Sequence, residues 1–164
     1  MMKRNIKRRG FTLVELLIVI VVIGILSAMM MLSSTEAVTS AKASNIVSNL
    51  RNLKTAALAM YIDNMDKFDK GELKIGTTSD ASTKNITDVV KYMNGGENFN
   101  ETGYSITSND GWYLSYKITG TTSEKTQIKQ KLKGRAASVG LLKDNTKATG
   151  NTYEGGPDVY YFVR

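Results

Sequence analysis

The chain has no cysteine and no histidine, and its single proline is Pro157. Without cysteine, disulfides and thiolate metal sites are excluded, and the sequence leaves the redox compartment open. Without histidine, the commonest general base and the commonest metal ligand are both missing. Serine, lysine and aspartate are plentiful, yet there is no G-x-S-x-G nucleophile turn and no phosphate-binding glycine loop. The expectation is therefore a protein that is not an enzyme, with no catalytic residues, no cofactor and no resident metal.

Clustered positive charge is also missing from most of the chain. The formal net charge is +7, from 22 basic and 15 acidic residues. Five of the basic residues (Lys3, Arg4, Lys7, Arg8, Arg9) precede the apolar run; without them 17 remain against 15 acids. A nearly neutral remainder is poor ground for a nucleic-acid binder, which needs a basic face. At 164 residues the length fits one domain with a targeting segment in front.

What is present is a long apolar run. Phe11 to Leu32 holds one ionisable side chain, Glu15, and no lysine or arginine. That is about the ~20 residues a helix needs to cross a bilayer core. The basic segment before it would stay on the cytoplasmic side. An ordinary secretory signal fits less well: the run exceeds the usual ~7–15 apolar residues, and Met29 to Leu32 extend it beyond the small residues Ser27 and Ala28. A carboxylate inside such a span costs roughly 2.5–3.5 kcal/mol at the centre and less near an end, so Glu15 reads as functional with a partner.

The stretch Lys7-Arg8-Arg9-Gly10-Phe11-Thr12-Leu13-Val14-Glu15-Leu16-Leu17 resembles the class III signal sequence of type IV prepilins and type II secretion pseudopilins. The likeness is close to about Leu26 and looser to Tyr61, and Ile23-Gly24-Ile25-Leu26 agrees with it. It implies a leader, residues 1–10, cut by a prepilin peptidase between Gly10 and Phe11, with N-methylation of the new Phe11 terminus. It implies a filament-core and membrane-spanning segment over residues 11–32 and a pilin domain over 33–164. It also implies that Glu15 pairs with the Phe11 amine of a neighbouring subunit. The implied partners are copies of the chain in a helical filament, the peptidase, a platform protein and ATPase machinery, minor pilins, and the inner membrane before assembly; the filament would be extracellular. A type II secretion pseudopilin or minor pilin is the alternative within the family, and a membrane-tethered binding protein the alternative outside it. One departure is that many pilins carry a proline about twenty residues into the mature helix. Here that region reads Ala28-Met29-Met30-Met31-Leu32, and Gly24 is the only helix-weakening residue in the span. Many pilins also close a C-terminal loop with a disulfide, which this chain cannot do.

From Ser33 to about Asn64 there is no glycine or proline, and Ile46, Leu50, Leu53, Ala57, Met60 and Tyr61 recur at three- and four-residue spacing. This predicts one helix from Phe11 to about Asn64, roughly 80 Å long at 1.5 Å per residue. It is apolar all round in its first half and amphipathic in its second. Residues 63–82 read as a polar connection. Asn85 with Asp88 reads as a capped helix start, with Ile86, Val89, Val90 and Met93 inward and Gly95-Gly96 as the stop. Tyr104–Thr107 and Trp112–Ile118 form a hairpin about the Ser108-Asn109-Asp110-Gly111 turn. Ser123–Lys133 reads as a helix with Ile128 and Leu132 inward, stopped by Gly134, and Asp158–Arg164 as a strand after a Gly155-Gly156-Pro157 turn. The fold class is α+β: a long helix packed on a small antiparallel sheet.

Two further constellations have bland explanations. Lys125, Lys129, Lys131, Lys133 and Arg135 lie in a stretch with no acid from Lys125 to Lys143. DNA is a conceivable partner there, but no aromatic residues interleave to stack bases, and a solvated helix face is the preferred reading. Asn109 and Asp110 with Glu101, or Asp63, Asp66 and Asp69, supply oxygens suited to calcium; neither set has calcium-loop spacing, and turn chemistry accounts for Asn-Asp-Gly.

Overall fold

A computed structural model describes residues 10–77 and 81–164 and, for residues 31–33, the backbone alone. It divides into two compact units, Met1–Val38 and Thr39–Arg164. The first helix, α1, runs Leu13–Asp63.

In the second unit α1 supplies a buried stripe: Ala43, Ile46, Leu50, Leu53, Ala57 and Met60 are all nearly inaccessible. These positions fall three or four apart, so one helical face carries them all. Fully burying a leucine contributes about 1.5–3 kcal/mol, which makes this face the largest single block of the core. It packs on a four-stranded sheet in the order β3 (Tyr104–Ser108), β4 (Trp112–Lys117), β6 (Asp158–Phe162), β5 (Leu141–Leu142). All three pairings are antiparallel, with Ile106 opposite Leu114, Leu114 opposite Tyr161, and Leu141 opposite Tyr161. Period-two alternation sends Tyr104, Ile106, Leu114, Val159 and Leu141 into the core. The α+β reading, with a long helix on a small antiparallel sheet, thus holds.

The hairpin turn falls where the sequence places it. Gly111 is required there for space: a Cβ would lie 2.5 Å from the Arg164 carbonyl oxygen and 2.7 Å from the Phe162 ring. Pairing continues past the regular ladder, as Trp112 N–H donates to Arg164 O (2.9 Å) and Val163 N–H to Trp112 O (2.8 Å).

Four local readings need correction. Residues 63–82 are not a plain connection: they contain α2 (Met65–Asp69) and β1 (Lys74–Ile75), which pairs in parallel with β2 (Thr83–Lys84). Phe68 and Ile75 give this segment enough apolar surface to dock on the core. The helix after Asn85, α3, covers only Ile86–Val90, with the capping box in place; a turn and a 3-10 segment (Gly96–Asn98) follow it. The basic helix, α4, spans Thr122–Val139 and passes through Gly134. Gly134 is exposed and a side chain there would touch nothing, so its cost of about 1 kcal/mol is outweighed by Leu132 and Ala136 burying on the other side. The stop is Gly140, whose φ of 82° is a left-handed C-cap. Finally, β5 is a strand the sequence reading lacks.

The loop between β5 and β6 is closed by polar groups. Asn151 Oδ1 accepts from the Lys143 and Asp144 N–H groups (3.0 and 3.1 Å), while Nδ2 donates to Asp144 Oδ1 (2.8 Å) and Thr146 O (2.6 Å). Asp144 Oδ1 also accepts from Thr146 N–H (3.1 Å) and Oγ1 (2.6 Å). Tyr153, buried, anchors the return: its N–H donates to Leu141 O (3.0 Å) and its hydroxyl to Gly156 O (2.7 Å). Burial, with Asp158 nearby, pushes the Tyr153 hydroxyl up to about 12.

Candidate functional site

The residues that the sequence reading names for cleavage, methylation and assembly, Gly10, Phe11 and Glu15, lie in the N-terminal unit. Gly10 and Phe11 precede the helix and are exposed, Phe11 at 85%. Thr12 occupies the N-cap position, and its interaction with Glu15 is reciprocal. The Glu15 N–H donates to Thr12 Oγ1 (3.2 Å), while Glu15 Oε2 accepts from Thr12 N–H and Oγ1 (2.8 Å each). This is a capping box, satisfying helix donors that have no intrahelical partner. The sequence reading gives Glu15 a partner in another subunit; the local T-x-x-E capping signal is one it does not use. Both donors go to Oε2; among the described residues nothing donates to Oε1.

From Leu13 the helix is apolar and unburied. Leu13, Leu16, Leu17, Ile20, Val22, Ile25 and Met29 are all exposed, and none of the most apolar stretch is buried. By length and composition it can cross a membrane. A face of this size left in water would be far larger than the few hundred Å² a monomer ordinarily tolerates.

The family model described as the prokaryotic N-terminal methylation motif matches residues 5–31. The chain carries a type IV pilin-like class III signal sequence. No curated protein and no solved structure is detectably similar to the chain. The match ends at residue 31, so it identifies the signal alone; for the rest of the chain the structure gives the α+β class. In general terms the signal implies peptidase processing, handling by a pilus-type assembly machinery, and a membrane-anchored chain. Of the expected leader, residues 1–10, residues 1–9 lie outside those the structure describes.

The other candidate clusters fare less well. Among the described residues no three acids come together to hold a metal. Glu101 faces α3, accepting from Thr87 Oγ1 (3.2 Å), whereas Asp110 in the hairpin turn accepts from the Tyr113 hydroxyl (2.5 Å) and Lys147 N–H (2.8 Å). Those bonds hold the Asp110 carboxyl below its ordinary value. Asp63 and Asp69 accept from different tyrosines, Tyr92 (2.7 Å) and Tyr61 (2.9 Å). Its bond to the Asp63 carboxylate raises the Tyr92 hydroxyl.

The basic residues of α4 sit on its outer face, while Ile128, Leu132 and Ala136 point inward. Arg135 reaches back to α1, donating to Ser44 Oγ (2.8 Å). Glu124 closes a second capping box with Thr121 and pairs with Lys42 of α1 (2.8 Å). The Lys42 ammonium first, then the Thr121 donors, lower the Glu124 carboxyl to about 2.

Proposed function

We propose that the chain is a structural subunit of a type IV pilus, polymerising through its N-terminal helix into an extracellular filament. The observation that carries the reading is an unburied apolar helix start within the stretch that the methylation motif matches. Such a helix is covered by lipid before assembly and by copies of itself afterwards. Residues 1–10 are the leader, 11–32 the membrane and filament-core segment, and 33–164 the displayed domain. Cleavage between Gly10 and Phe11 removes the five basic residues and frees an amine, which becomes N-methylated. In the filament that amine lies against Glu15 of a neighbour.

The physics of that contact is direct. An ammonium and a carboxylate attract far more strongly in apolar surroundings than in water. Either one alone would be a costly buried charge, so only the register that pairs them is favoured. Glu15 Oε2 is occupied by Thr12, and Oε1 is the oxygen offered to the incoming amine. The chain does no chemistry after its own processing.

Mass spectrometry of sheared surface material from the native host tests the proposal. The expected species starts at N-methylated Phe11 and sediments as fibres. The same processed chain confined to membranes would instead identify a pseudopilin or minor subunit, and an intact Met1 start would overturn the reading. Glu15→Ala should reduce filaments to background in electron micrographs, while Thr12→Ala, which removes the cap hydroxyl but keeps the carboxylate, should leave most of them. Equal loss in both variants would make Glu15 a helix cap only.

A further inference from the structure

A cleft of about 570 Å³ in the second unit lies between α2, β1 and the hairpin turn. That volume suits a small ligand. Three rings build its wall: Trp112 meets Tyr61 edge-on with centroids 5.5 Å apart and Phe68 at 4.9 Å, and Tyr61 meets Phe68 at 5.9 Å. Rings packed this way brace one another and form a stiff apolar surface. The Arg164 guanidinium carbon lies over Tyr61, 3.5 Å from the ring centroid, a cation–π contact that holds the side chain in place before any ligand arrives. Lys74 and Lys147 also line the cleft. Among the described residues none of these three cations is in an ion pair.

The two acids of the wall are already engaged. Asp69 accepts from the Tyr61 hydroxyl, and Asp110 from the Tyr113 hydroxyl and Lys147 N–H. These bonds leave both carboxylates ionised, so three cations face two anions and the lining side chains keep a net positive charge of one, beside an apolar wall and with the Ser108 hydroxyl. A carboxylate fits the guanidinium edge in two-point fashion, ring hydroxyls suit Ser108 and the second oxygen of Asp69, and the C–H face of a sugar suits the aromatic wall. Nucleobases would use the same rings, so oligothymidylate is the competing ligand to test.

We propose that this cleft binds an acidic saccharide, a uronate-type sugar whose carboxylate docks on Arg164. The site lies wholly within the second unit, so its test does not depend on whether the chain polymerises.

Trp112 is the only tryptophan and lies in the wall, so its fluorescence reports on this site alone. The full chain in detergent micelles would be titrated with a short oligogalacturonate, a matching neutral galactose oligomer, and oligothymidylate. The expected result is a saturable fluorescence change with the uronate oligomer and none with the neutral one at equal concentration. Arg164→Gln should weaken binding about tenfold, the scale of one charge-assisted two-point contact, and Lys74→Gln less. Both residues are exposed, and far-UV circular dichroism would verify that each variant is folded. No saturable change, equal binding of the neutral oligomer, tighter binding of oligothymidylate, or an Arg164→Gln variant that binds like the parent would each overturn the proposal.

Discussion

The two ends of α1 obey the same local rules and meet opposite fates. From Leu13 to Met30 every described residue is exposed, whereas from Ala43 to Met60 one face is sealed against the sheet. The difference lies in pattern. Leucine, isoleucine and valine all round the first stretch give no polar side to turn toward water, so that stretch calls for a wholly apolar surrounding. In the second stretch Lys42, Arg51 and Lys54 alternate with the stripe and mark the face that stays outside. Helix propensity is similar in both; what differs is which solvent each one needs.

The sharpest way to break that comparison is to cut the same side chain on both sides. Leu53→Ala, fully buried, should cost about 2–5 kcal/mol in chemical denaturation of the second unit. Leu17→Ala, 58% exposed, should leave that transition where it is. An equal shift from both would mean that the two stretches are one cooperative unit.

Next in size is Asn151→Ala. It strands two backbone N–H groups of the β5–β6 loop and should cost about 1–3 kcal/mol, with faster hydrogen exchange at Lys143 and Asp144. Helix glycines allow a finer contrast. Gly134→Ala should stabilise the second unit by about 0.5–1 kcal/mol, because neither backbone angle nor neighbours oppose a methyl group. Gly24→Ala, equally open, should not move the same midpoint.

The smallest effect concerns the two Thr-x-x-Glu boxes. Glu124 has a folded value of about 2 against an ordinary 4.5. A lowered carboxyl value means that its stabilisation is full above 4.5 and is lost as pH falls toward 2. Being exposed, the contribution is small. Glu124→Gln should therefore flatten, slightly, the fall in denaturation midpoint between pH 4.5 and 2. Glu15 lacks any such lysine: among the described residues no cation pairs with it, in keeping with a partner from another chain under the proposed function.

What could be read beforehand follows from how far each signal reaches along the chain. The stripe of α1, the Asn85 cap, the hairpin and the tail strand all rest on neighbours within a few residues, and all are found. Even at Gly134 the signal is local: a glycine predicts a stop, and the buried Ala136 two residues on carries the helix through it. By contrast, β5 is two leucines whose strand character comes entirely from pairing with Tyr160 and Tyr161. The cleft joins Tyr61 of α1, Trp112 of β4 and Arg164 beyond β6, and no window of sequence contains them together. At the N-terminus the motif was readable, but the Thr12–Glu15 box shows that one carboxylate can serve a local bond with one oxygen and keep the other available.

The Asn151 knot has a consequence for where this protein can mature. A loop tied by a side-chain amide closes and reopens without moving electrons, so it needs no thiol oxidase, no isomerase to repair mispaired bridges, and no oxidising surroundings. Reductants that would cut a disulfide-closed loop leave this one intact, and if stretching frees it, it can tie again unaided.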